Sequence, residues 1–213
     1  MLATTFYKKK LADAQFYNTI SFKDIEKPIT ILLGPNGTGK SMTLRGIERA
    51  CKIKGIKLLS YSTSKDDIVS KGSPAFGDWD PWKLAQAFTS EGERMTSSFF
   101  DFVNTDFLRE VMTNKEPLVV IVDEADSGLS FDRLYETLTQ MLFVVKEEHK
   151  KKRDIKVILT CNSYEMYEIL RQYNPDTFWL PTCKKVEFKS YKTFKKPYME
   201  YYKNVHKVLL DME

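Results

Sequence analysis

The sequence has few cysteines and no long apolar run. Its three cysteines, Cys51, Cys161 and Cys183, are an odd number and lack the spacing of a metal-ligand set. This usage predicts reduced thiols and a cytoplasmic protein. No apolar stretch approaches the roughly 18 residues that a membrane-spanning helix needs, and the first residues lack the charged-then-apolar pattern of a secretory signal. We therefore expect a cytoplasmic protein without a transmembrane segment.

An excess of charge of one sign is also missing. The net charge is only +4, and lysine, aspartate and glutamate are mixed along most of the chain. A balance of this kind permits contact with nucleic acid without predicting it. The chain carries no repeat, no low-complexity linker and no long heptad region. Its 213 residues, 42% of them hydrophobic, suit one globular unit, so we expect residues 1–213 to form a single domain.

Residues 34–41, GPNGTGKS, match the phosphate-loop consensus G-x-x-x-x-G-K-[ST] in full. A predicted strand (28–33) precedes them and a predicted helix (42–54) follows, which is the context that the motif requires. Glycines let backbone N–H groups point inward at an anion, and a helix N-terminus favours negative charge. A glycine-rich turn without a ligand is the alternative, which the full match disfavours. The residues expected to bind ATP are Gly34, Pro35, Asn36, Gly37, Thr38, Gly39, Lys40, Ser41 and Met42.

Within this loop two side chains have separate predicted roles. Lys40 is expected to reach the β- and γ-phosphates, and the Ser41 hydroxyl is expected to hold Mg²⁺. A second part of the site follows the apolar run 118–122, which ends in Asp123 and Glu124. Asp123 is predicted to hold the metal, and Glu124 to polarise the attacking water. The alternative is that the two acidic residues only mark the end of a buried strand. The catalytic interpretation is favoured because these residues follow a phosphate loop in the chain, as they do in nucleotide-binding domains.

Together these motifs resemble the ABC-type ATPases, in the branch with the SMC, RecF and related DNA-repair proteins, an AAA-family ATP-binding branch of the P-loop NTPases. GPNGTGKS has the central Asn-Gly that this family favours, and IVDEADSGLS is similar to its extended Walker B motif and D-loop. Residues 90–93, SEGE, are similar to the signature S-x-G-[QE]. Residues 160–163, TCNS, stand after a buried strand where relatives have T-H-S. The matches span about residues 29–163.

The resemblance implies an ATP hydrolase that closes as a homodimer around two ATP molecules through composite sites. Ser90 and Gly92 would then contact the γ-phosphate held by the other subunit, although an ordinary N-cap is the alternative for Ser90. Asn162 occupies the position of a histidine that contacts the γ-phosphate, and it is therefore a candidate catalytic residue. An amide donates a hydrogen bond but cannot carry a proton.

Alternating strands and helices predict the fold class α/β, with a mostly parallel central sheet flanked by helices. The phosphate-loop motif and the resemblance imply that this is a P-loop NTPase fold. An N-terminal antiparallel ribbon (3–7 and 14–22) and a reduced helical subdomain complete it. Further elements are predicted as follows: strands at 56–61, 155–159 and 185–190, and helices at 93–112, 131–150, 164–172 and about 196–212. Lysines alternate with aromatic rings over 184–207, which is typical of a nucleic-acid surface or, as the weak net charge favours, of an amphipathic helix with its rings inward.

Three functions agree with these expectations. The first is ATP hydrolysis coupled to DNA maintenance, defence or a mobile-element process, with a separately encoded effector or nuclease as a candidate partner. The second is a nucleotide-gated dimerisation switch with little turnover, which Asn162 supports. The third is the nucleotide-binding subunit of a membrane transporter, which the short stretch between Lys40 and Ser90 disfavours.

Overall fold

A computed structural model of the chain describes residues 20–62, 98–124 and 131–210. Within these ranges six strands form one sheet in the order β2-β3-β4-β1-β5-β6. The pairs β2–β3, β3–β4, β4–β1 and β1–β5 are parallel, and β6 runs antiparallel to β5. The predicted α/β class with a mostly parallel sheet is confirmed. The strands are β1 (Ile29–Leu33), β2 (Lys57–Ser62), β3 (Leu118–Asp123), β4 (Ile155–Cys161), β5 (Asp176–Trp179) and β6 (Lys184–Lys185).

Helices cover both faces of this sheet. On one face lies α1 (Lys40–Lys54), whose buried Leu44 and Ile47 pack with Leu32 of β1 and other strand residues. Because strand side chains alternate between faces, Ile31 packs on the opposite side with the remaining helices. These are α2 (residues 98–113, with a π-helical stretch Phe102–Phe107), α3 (Phe131–Lys150), α4 (Tyr164–Arg171) and α5 (Tyr191–Leu210). Over the described ranges no helix has the length and apolarity required to cross a membrane.

The predicted N-terminal ribbon lies mostly outside the described residues, which begin at residue 20. The prediction is wrong for the last residues of the ribbon, because residues 20–22 form no strand and Phe22–Asp24 is a turn of 3₁₀ helix. The Asp24 carboxylate accepts hydrogen bonds from the Ser21 backbone N (2.8 Å) and Oγ (2.9 Å). Such local bonds between side chain and backbone compete with strand pairing, and here they start the turn.

The C-terminal region also differs from the prediction. The strand expected at 185–190 is reduced to Lys184–Lys185, and α5 begins at Tyr191 instead of near residue 196. The rings of Phe188 and Phe194 are buried, and their centroids are 5.4 Å apart in an edge-on contact. Lysines of α5, such as Lys195, are exposed. This arrangement favours the amphipathic interpretation of the tail.

Asp176 joins the start of β5 to the segment before β1. Its buried carboxylate accepts hydrogen bonds from the backbone N of Lys27 (3.0 Å) and of Glu26 (3.2 Å), and it pairs with Lys185 Nζ at 3.1 Å. Burial alone would raise the pKa of Asp176. The two backbone N–H groups and the ammonium of Lys185 outweigh that effect, so the pKa falls below its ordinary value.

Arg153 joins the ends of two helices at the start of β4. Its buried guanidinium donates through Nη1 to the Val111 carbonyl O of α2 (2.6 Å) and to Glu148 Oε2 of α3 (3.4 Å). A hydrogen bond from Lys151, and a second from Arg153, lower the pKa of Glu148 although burial opposes them. Since both partners lie in the last turns of their helices, the cation also faces the negative ends of two helix dipoles.

Candidate nucleotide-binding site

The phosphate loop connects β1 to α1 and depends on two left-handed glycines. Gly37 has φ 82° and Gly39 has φ 90°, a region that residues with a Cβ atom rarely adopt. Gly39 is the N-cap of α1, and its carbonyl accepts the backbone N–H of Thr43 at 2.9 Å. The glycine therefore turns the chain directly into the helix. This turn leaves the positive end of the helix dipole facing the loop, as the motif predicts.

The loop is closed by short contacts around Gly34. The Thr38 hydroxyl donates to the Pro35 carbonyl O at 2.7 Å, and the Thr38 backbone N–H donates to the same oxygen at 3.3 Å. A Cβ atom added to Gly34 would lie 2.6 Å from Thr38 Oγ1 and 3.3 Å from Pro181 Cδ. The backbone at residue 34 therefore approaches its neighbours more closely than any side chain would allow.

Lys40 brings a buried positive charge into the loop. The residue is only 6% exposed, and its Nζ donates to the carbonyl oxygens of Gly34 (2.6 Å) and Pro35 (3.2 Å). A buried ammonium needs acceptors of this kind, because desolvating a charge without partners is costly. This Nζ lies between two loop carbonyls near the N-terminus of α1, and it is the cation that the sequence predicts to bind phosphate.

The two predicted acids lie at the carboxyl end of β3. Asp123 Oδ2 is 3.5 Å from Ser41 Oγ of α1. Asp123 Oδ1 accepts a hydrogen bond from Thr160 Oγ1 at 2.7 Å, and Thr160 Oγ1 accepts one from the Glu124 backbone N at 2.8 Å. Glu124 has φ 57°, which is uncommon for a residue other than glycine. One threonine of β4 therefore contacts both acidic residues of β3.

The order of the strands explains why these segments meet. β4 lies between β1, which leads into the phosphate loop, and β3, which ends in the acids. Parallel strands place their carboxyl ends at one edge of the sheet, where α/β proteins bind ligands. Cys161 pairs with Leu33, so Asn162 and Gly34 each directly follow the end of one of two neighbouring strands at this edge.

The residues at this edge fit a magnesium ion. Ser41 Oγ and Asp123 Oδ2 are hard oxygen donors of the kind that Mg²⁺ prefers, and they converge from two elements. Across the described part of the chain no group of three or more His, Cys, Asp or Glu side chains is placed to hold a metal. Mg²⁺ commonly takes only one or two protein oxygens and completes its shell with water and substrate phosphates.

Most of the site residues predicted from the sequence are brought together. Residues 34–41, Asp123, Glu124 and Asn162 all lie at the carboxyl edge of the sheet. Met42 lies in the first turn of α1 with half of its surface exposed. Ser90 and Gly92 lie outside the described residues, so their predicted contact with a second subunit is untested.

Sequence reasoning missed two contacts of the site. The first is the contact of Thr160 with both acidic residues, because the match at residues 160–163 includes this threonine but assigns it no role. The second is Pro181, which follows β5 and packs on Gly34. No local pattern indicates that contact, because it depends on the pairing of β1 with β5.

Comparison with known proteins places this architecture in a family. The model of the ATPase family associated with various cellular activities (AAA) matches residues 30–172, a range that includes the phosphate loop, both acids and Asn162. Among solved structures, the chain is similar to PCH-2 from C. elegans, with a TM-score of 0.36 and 13% sequence identity. That alignment covers 80% of this chain and 38% of the other, so this chain spans well under half of that protein. No curated protein matches the chain. The chain therefore belongs to the AAA family of ATPases.

Proposed function

We propose that the carboxyl edge of the sheet binds ATP together with Mg²⁺ and hydrolyses the bond between its β- and γ-phosphates. The observation that carries this proposal is the convergence of Ser41 Oγ and Asp123 Oδ2 at 3.5 Å beside a loop that holds a buried ammonium. In this proposal the loop would supply backbone N–H groups to the phosphates, the lysine would supply positive charge, and the two oxygens would supply metal ligands. Membership of an ATPase family supports ATP as the nucleotide.

Each residue has a separate role in the proposed reaction. The Lys40 ammonium would move from the loop carbonyls to the β- and γ-phosphates. Ser41 and Asp123 would hold Mg²⁺, which when bound offsets the negative charge on the phosphate oxygens. Glu124 would orient the attacking water and accept its proton. Asn162 would donate a hydrogen bond to the γ-phosphate from the strand between the loop and the acids.

Two variants and one control test the nucleotide site. Lys40→Ala should weaken ATP binding at least about tenfold, because it removes the charge that faces the phosphates. Lys52→Ala removes an exposed charge near the other end of the same helix and should bind ATP as the wild type does. Glu124→Gln should keep ATP binding and lose about 10²–10⁴-fold in turnover. Equal ATP affinity in Lys40→Ala and Lys52→Ala would contradict the proposal, as would a wild type that fails to hydrolyse ATP with Mg²⁺.

We further propose an ABC-type assembly in which two chains close head to tail on two ATP molecules. Its support is the sequence of the signature, in which Ser90 and Gly92 would reach the γ-phosphate of the facing chain. The Glu124→Gln variant with ATP should sediment as a dimer, and adding Ser90→Ala should return it to a monomer. If the chains form a larger ring with ATP, or do not associate with one another when ATP is present, this assembly is wrong. The coupling to DNA maintenance, defence or a mobile element, through a separately encoded effector or nuclease, rests on the same resemblance.

The amide at residue 162 favours a second candidate function, a nucleotide-gated switch. Asn162 follows β4 beside the phosphate loop but cannot carry a proton or a charge. A site of this kind can favour a closed state with ATP and an open state with ADP without rapid turnover. Turnover close to background together with ATP-dependent association would favour the switch. Rapid turnover would favour the enzyme.

A further inference from the structure

We infer that Thr160 is a positioning residue that orients both acidic residues of the site through one hydroxyl group. The inference rests on the proposed function, because Asp123 and Glu124 are the residues assigned there to the metal and to the water. Thr160 would contact neither the metal nor the nucleotide, and it would act only through these two neighbours.

The geometry at Thr160 is that of a complete hydrogen-bond relay. Its side chain is fully buried, and Oγ1 lies 2.7 Å from Asp123 Oδ1 and 2.8 Å from the Glu124 backbone N. A hydroxyl has one proton to donate, and a carboxylate oxygen can only accept, so the proton of Thr160 points to Asp123. The N–H of Glu124 then donates to the same hydroxyl oxygen. The direction of both bonds is therefore fixed.

The first bond fixes the orientation of the Asp123 carboxylate toward the metal position. An isolated carboxylate rotates about χ2, and the Thr160 hydroxyl restricts this rotation by donating to one oxygen, Oδ1, which leaves the other oxygen free to ligate. Oδ2 is then the oxygen that lies 3.5 Å from Ser41 Oγ. A hydrogen bond to a ligating carboxylate orients it, and partners of this type commonly account for 10–100-fold in metal affinity or activity.

The second bond holds the backbone at Glu124. The chain leaves β3 at this residue with φ 57°, a left-handed conformation that is strained for a residue with a Cβ atom. A strained backbone persists where its surroundings stabilise it, and the bond from the Glu124 N–H to Thr160 is such a stabilising contact. The side chain of Glu124 starts from this backbone, so its position depends on the same hydroxyl.

The strand pattern explains why a threonine of β4 reaches both residues. Thr160 pairs with Leu32, whose side chain packs on the α1 side of the sheet. Asp123 lies two residues after Ile121, which packs on that same side. Since strand side chains alternate, Thr160 and Asp123 face the same side from neighbouring strands. Threonine is also β-branched, which restricts χ1 and suits a buried strand.

A valine substitution with a matched control separates this role from packing. Thr160→Val keeps the shape and the β-branch but removes the hydroxyl, and Thr160→Ser restores it. Thr30→Val is the control, because Thr30 is also fully buried on the neighbouring strand β1. Its Oγ1 has no hydrogen-bond partner within the described residues. Thr30 pairs with Ile158, two residues before Thr160 on β4.

The first measurement needs no turnover. Hydrogen exchange of the Glu124 backbone amide, followed by NMR in the nucleotide-free protein, should become about tenfold faster in Thr160→Val. Thr160→Ser and Thr30→Val should exchange at the wild-type rate. The second measurement is the Mg²⁺ concentration that gives half-maximal ATP hydrolysis, which should rise about 10–100-fold in Thr160→Val only. ATP binding in the presence of EDTA should be equal in all four proteins.

The outcomes distinguish this inference from the proposed function. If Thr160→Val keeps both the wild-type amide exchange and the wild-type Mg²⁺ requirement, the inference is wrong. It is also wrong if Thr30→Val changes the Mg²⁺ requirement as much as Thr160→Val does, because the effect would then come from packing. If the wild type does not hydrolyse ATP, the proposed function fails, and the amide exchange then decides the inference by itself.

Discussion

The sharpest test of the phosphate loop is a single added methyl group at Gly34. In Gly34→Ala the new Cβ would lie 2.6 Å from Thr38 Oγ1, whereas carbon and oxygen atoms in contact normally stay about 3.3–3.6 Å apart. It would also lie 3.3 Å from Pro181 Cδ on the other side. Thr38 cannot simply rotate away, since the residue is only 3% exposed and its hydroxyl donates to the Pro35 carbonyl O at 2.7 Å. The loop must therefore lose this bond or move.

The size of the effect follows from these contacts. Breaking the bond from Thr38 to Pro35 leaves the buried Thr38 hydroxyl unpaired, which costs about 1–3 kcal/mol, whereas the Pro35 carbonyl keeps its bonds from the Thr38 backbone N–H and from Lys40. Overpacking a tight site adds a comparable amount, so we expect the free energy of unfolding to fall by about 2–4 kcal/mol. Gly46→Ala is the control, because Gly46 is exposed on α1 and its added Cβ would meet nothing within 4 Å. That variant should gain about 0.5–1 kcal/mol from helix propensity.

Urea unfolding of both variants measures the difference, and a double-mutant cycle identifies its cause. Thr38→Ala removes the atom that the new Cβ would meet, so Gly34→Ala should cost less in a Thr38→Ala background than alone. Binding of ATP should weaken in Gly34→Ala and stay unchanged in Gly46→Ala. If Gly34→Ala is as stable as Gly46→Ala, or if the two changes at 34 and 38 are additive, the close packing of the loop has been misjudged.

Three further predictions concern the frame that supports the site. Asp176→Asn should lower the free energy of unfolding by about 1–3 kcal/mol at pH 7. Because folding lowers the pKa of Asp176, the stability that its carboxylate contributes is full above about pH 4 and is lost as the pH falls further. The wild type and the variant should therefore converge in stability when unfolding is measured at acid pH. Phe194→Ala, at a residue 5% exposed, should cost about 3–5 kcal/mol in thermal or urea unfolding, against about 0.5 kcal/mol for Tyr202→Ala at 54% exposure. Arg153→Met should cost about 1–3 kcal/mol, because the buried Glu148 loses its guanidinium partner but keeps its ion pair with Lys151. Glu148→Gln combined with Arg153→Met should recover part of this loss.

The central strands could be predicted because their signal is local. β1, β3 and β4 are almost entirely buried, so each is a mainly apolar run, and its observed bounds differ from the predicted ones at only one end, by one or two residues. The predicted helix at 131–150 has the observed bounds, because one apolar stripe faces the sheet along its whole length. The phosphate loop is equally local, since eight consecutive residues supply all its parts.

The misses occur where long-range contacts or local polar bonds decide the structure. β5 has only four residues between Asn174-Pro175 and Pro181, too few for a periodic pattern, and its pairing with β1 creates it. Residues 20–22 have the composition of a strand, but Asp24 bonds to Ser21 and starts a 3₁₀ turn instead. Hydrophobic periodicity detects neither cause, because the partner of β5 is a distant strand and the bond between Asp24 and Ser21 is polar.

The candidate site shows the same division between local chemistry and long-range arrangement. Motifs identify Lys40, Ser41, Asp123 and Glu124 because each has a role fixed by its own side chain. The match at residues 160–163 includes Thr160 but assigns it no role, because a buried threonine on a strand is usually only a packing residue. Its role arises from strand order, since β4 lies between the loop strand and the acid strand. A hydroxyl at position 160 contacts the acidic residues because β4 is paired with β3. In a different strand order the same threonine would be surrounded by apolar core residues and would have no role in the site.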